Sequence, residues 1–347
     1  MADETRRKIL KGMLAGIGFA WLGPMMGVGM PRKKERFYGM NLTKRMSNGK
    51  IVDKNLFELL EYANIKDFII HIGYFQKNRY SNEIRCDVDG ERVVPEDRCV
   101  LDLIENLKSK GNKITITPTI YISQNKNWKG HKWRGKIEPN NFSLWFKNYE
   151  EILMNYIKLT KELKVDAFCV GLELNSMQKY TKKWVDIIKE ARKEFNGKIT
   201  YCANWDAYKD TGFIDNLDYL SISAYFPLRK PEEKSSLEGL INSWKIIGNE
   251  LLDFKKKYKK EIVFGEIGYR SAEGAATQHN VNLDKQDFEE QRLCFMALNY
   301  ALKKEIIPVK KTYLWVDDTH NITYPNKVGY SIFGKPVEND LISYNSG

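Results

Sequence analysis

The chain has 347 residues, 42% hydrophobic and 29% charged, with a formal net charge of +11, enough for one large core or two modest ones. Residues 1–36 carry eight Lys/Arg against three Asp/Glu, so +5 of the charge belongs to a leader and +6 is spread over the remainder. Without an arginine-rich stripe this reads as a solvated basic surface, and a nucleic-acid partner is not expected.

In chain order the leader comes first. Thr5-Arg6-Arg7-Lys8-Ile9-Leu10-Lys11 resembles a twin-arginine export motif, followed by a glycine-rich, moderately apolar segment from Gly12 to Met30. Its weak hydrophobicity, with the basic run Arg32 to Arg36 behind it, suits export better than a stable membrane span. Gly27-Val28-Gly29 offers small residues for cleavage, whereas an uncleaved leader would serve as an anchor, the only membrane association expected. The plainer alternative is a basic amphipathic N-terminus. The expected division is a leader over 1–36 and one folded domain over 37–347.

From Phe37 onward, strand-like runs alternate with helix-like ones. The strand candidates are Phe37 to Asn41, Phe68 to Tyr74, Ile114 to Tyr121, Val165 to Glu173, Ile199 to Asn204, Tyr219 to Tyr225, Ile262 to Glu266 and Thr312 to Trp315. The clearest helix carries Trp145, Tyr149, Ile152, Tyr156, Leu159 and Leu163 at steps of three and four. Eight such alternations predict an α/β fold, a (β/α)8 TIM barrel with its chemistry at the C-terminal strand ends. A doubly wound open sheet is the structural rival, but no Gly-rich dinucleotide or phosphate loop follows the first strand.

Two of these runs end alike. VDAFCVGLELNS passes through Gly171 to Glu173, and EIVFGE passes through Gly265 to Glu266, 93 residues later, about three βα units on in such a barrel. Either acid alone reads equally well as a solvated strand end; together they suggest two carboxylates at one cavity. Asn41, His71, Tyr74, Tyr121, Asn204-Trp205-Asp206, Tyr225, and Trp315 with Asp317 and Asp318 would lie near the same mouth. Aromatic faces there suit the C–H faces of sugars, and amides suit hydroxyls. Singly, these aromatics read as core, except Trp315 and Tyr225, which end strands eight and six and read as platforms, and His71 reads as a satisfied core histidine. Ser123 to Asn141, with Trp128, His131, Trp133 and Arg134, is long enough for a substrate-covering loop, which Arg134 would touch substrate from or simply anchor. Cys169, Cys202 and Cys294 read as core, while Cys86 and Cys99 flank a polar loop and would pair, if at all, in an exported protein. The four histidines are scattered, so no metal is expected and no cofactor is implied.

Trp133-Arg134-Gly135, Trp145-Phe146 with Tyr149, Val170-Gly171-Leu172-Glu173-Leu174, Ala203-Asn204-Trp205-Asp206, Ser223-Ala224-Tyr225 and Gly265-Glu266-Ile267-Gly268-Tyr269-Arg270-Ser271 occur in an order that resembles glycoside hydrolase family 113. The resemblance runs from Phe37 to the end and implies a retaining β-mannanase in the clan with catalytic acids on strands four and seven. It makes Glu173 the acid/base and Glu266 the nucleophile, whose charge is expected to raise the proton affinity of Glu173. Expected substrate contacts are Asn41, His71, Tyr121, Trp133, Arg134, Asn204, Trp205, Tyr225 and Trp315, with Tyr225 also hydrogen-bonding the nucleophile. Many clan members place Asn immediately before the acid/base; Leu172 stands here, leaving Asn204 or Asn175 to meet the sugar 2-hydroxyl. The implied protein is an exported, endo-acting monomer with a polysaccharide or oligosaccharide as partner. Its rivals are a hydrolase of another β-linked polysaccharide and a non-catalytic sugar-binding barrel, the latter disfavoured by the second acid.

Overall fold

Eight parallel strands close into a barrel in a computed structural model that describes residues 38–43, 61, 63–88, 91–92, 97–122, 133–278, 281–316 and 328–346. The strands are β1 (Tyr38–Thr43), β2 (Asp67–Gln76), β3 (Lys113–Ile122), β4 (Ala167–Leu172), β5 (Lys198–Asn204), β6 (Tyr219–Ser223), β7 (Glu261–Ile267) and β8 (Val309–Leu314). Each pairs with its sequence neighbours, and β8 closes on β1 through Tyr38 opposite Thr312 and Met40 opposite Leu314. The helices are α1 (Asp97–Ser109), α2 (Phe142–Thr160), α3 (Thr181–Glu194), α4 (Leu237–Tyr258), α5 (Phe288–Lys303) and α6 (Val337–Ser346). The (β/α)8 expectation holds, with strand ends adjusted: β4 stops before Glu173, and β6 stops before Tyr225.

The helices form where apolar residues recur on one face, and in α2, α4 and α5 a side chain caps the first turn. In α2, Asn141 accepts from the Leu144 amide at 3.0 Å, and Trp145, Tyr149, Leu153 and Tyr156 are buried. A fully buried side chain of this size contributes about 1.5–3 kcal/mol over an exposed one. Tyr149 also donates its hydroxyl to the Val170 carbonyl at 3.0 Å, fixing α2 against β4. Trp184 of α3 packs edge-on against Tyr201 of β5, with ring centroids 5.3 Å apart.

The barrel interior is less aliphatic than its outside. Ile69, Val263 and Tyr313 form a plug toward the strand N-termini, and above them Thr115, Thr117, Cys169, Thr200, Cys202 and Ser221 line a cavity of about 10 Å³ that reaches Glu266. Strand alternation explains which expected mouth residues face inward. His71 shares the inward parity of Ile69, whereas Tyr74, three residues on, packs outward, its ring edge-on to Tyr156 of α2 at 6.2 Å. Tyr74 is therefore removed from the expected mouth. All five cysteines are free thiols, so the Cys86–Cys99 pair is not formed. The leader, Trp128, His131, Asp317 and Asp318 lie outside the described residues.

Candidate active site

Glu173 and Glu266 stand at the C-terminal ends of β4 and β7, with fractional exposures of 7% and 4%. Both strands are irregular just there. In β4, three residues from Cys169 to Leu172 span two from Thr200 to Cys202 of β5; in β7, Phe264 to Glu266 spans only Ile222 to Ser223 of β6. Each is a bulge, which re-aims the side chains that follow it. The glycines make the bulges possible. A Cβ on Gly265 would strike Ser221 Oγ and stand 2.8 Å from Cys202 Sγ, and one on Gly171 would stand 2.5 Å from the Tyr201 ring. Glu173 then takes φ 50°, a left-handed conformation uncommon outside glycine. Its amide donates to the Cys202 carbonyl at 2.8 Å, and the next amide, of Leu174, to the Tyr201 hydroxyl at 3.1 Å.

The two carboxylates have different company. Glu173 Oε2 accepts from Arg134 Nη1 at 2.9 Å and from Trp133 Nε1 at 3.3 Å. Arg134 is itself held by its Nε donating to the Ile120 carbonyl at 3.0 Å, with its guanidinium over the Tyr121 ring at 5.3 Å. Burial works against the Arg134 charge, yet Glu173, followed by Tyr121 and Glu266, raises its pKa all the same. Glu266 Oε2 accepts from the Tyr225 hydroxyl at 3.1 Å, as expected from the sequence, while Oε1 is buried without a hydrogen-bond partner among the described residues. Burial, then the charge of Glu173, pushes Glu266 up to about 8, with Arg134 and the Tyr225 hydrogen bond opposing. In the ligand-free site the cation therefore sits on Glu173, while Glu266 carries a raised proton affinity.

Behind Glu266 lies a polar brace. His71 Nε2 is 4.0 Å from Glu266 Oε1 but 2.7 Å from Asn41 Oδ1, and Nδ1 is 3.0 Å from Thr119 Oγ1. Asn41 uses its Nδ2 on the carbonyls of Gly265 at 2.9 Å and Leu314 at 3.2 Å, so its Oδ1 is left to accept from the imidazole. Burial, then the Arg134 charge, lowers His71 to about 3, which keeps it neutral. Trp315, half-buried, stands edge-on to His71 with centroids 5.3 Å apart. Across the mouth, the side-chain amides of Asn204 (2.7 Å) and Asn175 (3.2 Å) both donate to Asp206 Oδ1, and half-buried Trp205 leans on Phe226. Leu172 is buried with Cys169 and Cys202.

One neighbour escaped the sequence reading. Tyr330 stands 6.0 Å from Tyr225, ring to ring, beneath the Arg270 guanidinium at 4.5 Å. A Cβ on Gly268 would come within 3.0 Å of it. It follows the eighth strand by 16 residues with no periodicity around it, and the only usable signal is the bare Gly268 against which it packs.

The sequence model of Glycoside Hydrolase Family 113 matches residues 38–335. The chain belongs to glycoside hydrolase family 113. It is a glycosidase, and its substrate is a carbohydrate. Among solved structures, a family 113 β-1,4-mannanase in a complex shares 22% identity, covering 90% of this chain and 99% of its own, with a TM-score of 0.74. The family 113 β-mannanase AaManA from Alicyclobacillus acidocaldarius, bound to ManMIm, shares 20% over 90% and 98%, with a TM-score of 0.73. A family 5 mannosidase from Rhizomucor miehei (E301A mutant) shares 10% over 90% and 93%, with a TM-score of 0.52. At these identities the structures speak for the fold of this glycosidase. No curated protein matches it in sequence.

Proposed function

We propose that this glycosidase is a retaining, endo-acting β-mannanase in which Glu266 is the nucleophile and Glu173 the acid/base. The observation that carries the reading is the convergence of two nearly buried carboxylates, from β4 and β7, with unlike partners. In a double displacement, one carboxylate attacks the anomeric carbon while the other protonates the leaving oxygen and later activates water. The Tyr225 hydroxyl keeps Glu266 in line. Asn41 and His71, with their polar atoms engaged, hold the floor beneath it. Arg134 and Trp133 present Glu173 by donating to its Oε2.

Sugar contacts fall to Trp315, Trp205, Tyr121 and Asn204 around the mouth. Leu172 favours a second reading, another β-linked polysaccharide, because its buried side chain cannot replace the amide that many clan members carry before the acid/base. Product analysis on a panel of mannan, glucan and xylan separates the two readings. Glu266→Ala should abolish hydrolysis even of an activated aryl glycoside. Glu173→Ala should form its glycosyl-enzyme on that substrate and stall, and added azide should release a β-glycosyl azide. Hydrolysis of polysaccharide by Glu173→Ala at the parent rate would overturn the assignment. Export through the Arg6-Arg7 motif belongs to the same proposal, and replacing both arginines with lysine should retain the protein inside the cell.

A further inference from the structure

The end of the barrel opposite the active site carries an excess of lysine. In a parallel barrel, every strand begins at the same end, so the segments entering β3, β4, β5, β7 and β8 converge there. Each brings an exposed lysine with no ion-pair partner among the described residues: Lys113, Lys164, Lys198, Lys256, and Lys304 with Lys310. Four carboxylates at this end are already taken, Asp67 by Lys311, Asp166 by Lys108, Asp218 by Arg192 and Glu261 by Lys255. Glu162, Asp215 and Glu305 are matched in number by Lys257, Lys259 and Lys303.

A helix-dipole account covers part of this, because Lys256 and Lys304 lie at the ends of α4 and α5, where a cation is favoured. It does not cover Lys113, Lys198 and Lys310, which lie on strands, or Lys164, which lies in a loop. Lysine rather than arginine also matters. An ammonium is a hydrated point charge, suited to diffuse attraction by a charged surface rather than to fixed bidentate contacts with phosphate. Tyr38 begins β1 at this same end, and residues 1–37 carry a net positive charge of their own.

We propose that this lysine face is a docking surface for a bilayer containing anionic lipid headgroups. Docked so, the enzyme turns its sugar-binding mouth away from the membrane and toward polysaccharide in solution. Basic residues near an anionic leaflet each contribute about fivefold in partitioning, and the attraction fades within a Debye length.

The test is co-sedimentation of the full-length protein with vesicles of phosphatidylcholine alone, or with phosphatidylglycerol added, at low and physiological salt. Binding should require phosphatidylglycerol and weaken with salt. Reversing Lys113, Lys164, Lys198, Lys256, Lys304 and Lys310 to glutamate should reduce binding at least tenfold. Reversing six exposed lysines elsewhere, Lys136, Lys147, Lys179, Lys182, Lys230 and Lys234, should reduce it far less. If the first set fails to fold by circular dichroism, the same six changed to glutamine remove the charge without adding acid. Equal losses in the two sets would show an effect of total charge, and unchanged binding in the first set would leave the face without a role; either overturns the proposal. Tighter binding to duplex DNA than to the vesicles would overturn it as well.

Discussion

Arg134→Met tests the charge logic of the site. The guanidinium stands 2.9 Å from Glu173 and also opposes the rise of Glu266, which still reaches about 8. Methionine keeps much of the bulk and removes the cation. Loss of a positive charge stabilises the protonated form, so the proton shared by the two carboxylates should be held to higher pH. An opposite charge within about 4–6 Å typically moves a carboxylate by 1–3 units; because Arg134 bonds Glu173 and not Glu266, we take the low end, about one unit or 1.4 kcal/mol. The assay is kcat/KM against pH on an aryl glycoside, which reports the groups of the free enzyme. The parent's basic limb should fall near pH 8, and that of Arg134→Met about one unit higher. Arg134→Lys, which keeps the charge, should stay near the parent. A basic limb that stays put or moves down in Arg134→Met would refute the argument, since no loss of a cation lowers a carboxylate pKa.

Glu266→Gln should flatten the pH dependence of stability. A carboxyl whose folded pKa is raised stabilises the fold below its unfolded pKa, and that contribution is lost as pH rises through about 8. At pH 9 the variant should therefore melt at least about 2 °C above the parent, and a lower melting temperature would count against the burial cost. Arg229→Ala should destabilise by about 3–5 kcal/mol in chemical denaturation, because Glu290, 4% exposed, accepts from Arg229 Nε at 3.0 Å and Nη2 at 2.8 Å and would keep a buried charge. Trp315→Ala should cost far more in kcat/KM than in melting temperature, as a half-buried ring at the mouth does; the opposite pattern would make it a core residue. Gly265→Ala should lower kcat about a hundredfold, the cost of misplacing a catalytic group by about 1 Å, with partial recovery when Ser221→Gly makes room; full activity in the single variant would remove the bulge from the mechanism.

The barrel was legible because each of its strands carries a local signature. Phe168 and Val170, Ile199 and Tyr201, or Leu220 and Ile222 form apolar runs bounded by polar turns, and each is buried in place. The facing of the mouth residues was legible where period two holds without interruption, as for His71, Asn204 and Trp315. It failed at Tyr74, where the residue type suggested a sugar platform but the parity faces α2. Tyr225 and Glu266 were linked correctly because they lie at the C-terminal ends of the neighbouring strands β6 and β7. Partners that depend on long-range packing were not legible: nothing local to Trp133 and Arg134 says that both donate to one oxygen of Glu173, 39 residues from Arg134.

The unlike surroundings of the two acids were not legible for a related reason. From the sequence, two carboxylates differ only in order, and mutual repulsion raises one of them without saying which. The choice is made by what surrounds them, and that depends on the bulges. By strict alternation from Val263 and Gly265, Glu266 would face the helices; the extra residue in β7 turns it inward, above the small polar side chains of the barrel. There one oxygen meets Tyr225 and the other has no donor among the described residues. Glu173, past its own bulge and in a left-handed turn, is carried toward the loop that bears Arg134. The glycines before each acid were visible as a repeated pattern. Their consequence was not, because a bulge is defined by what the neighbouring strand does, and the residues that demand it, Ser221 with Cys202 on one side and Tyr201 on the other, come from different strands.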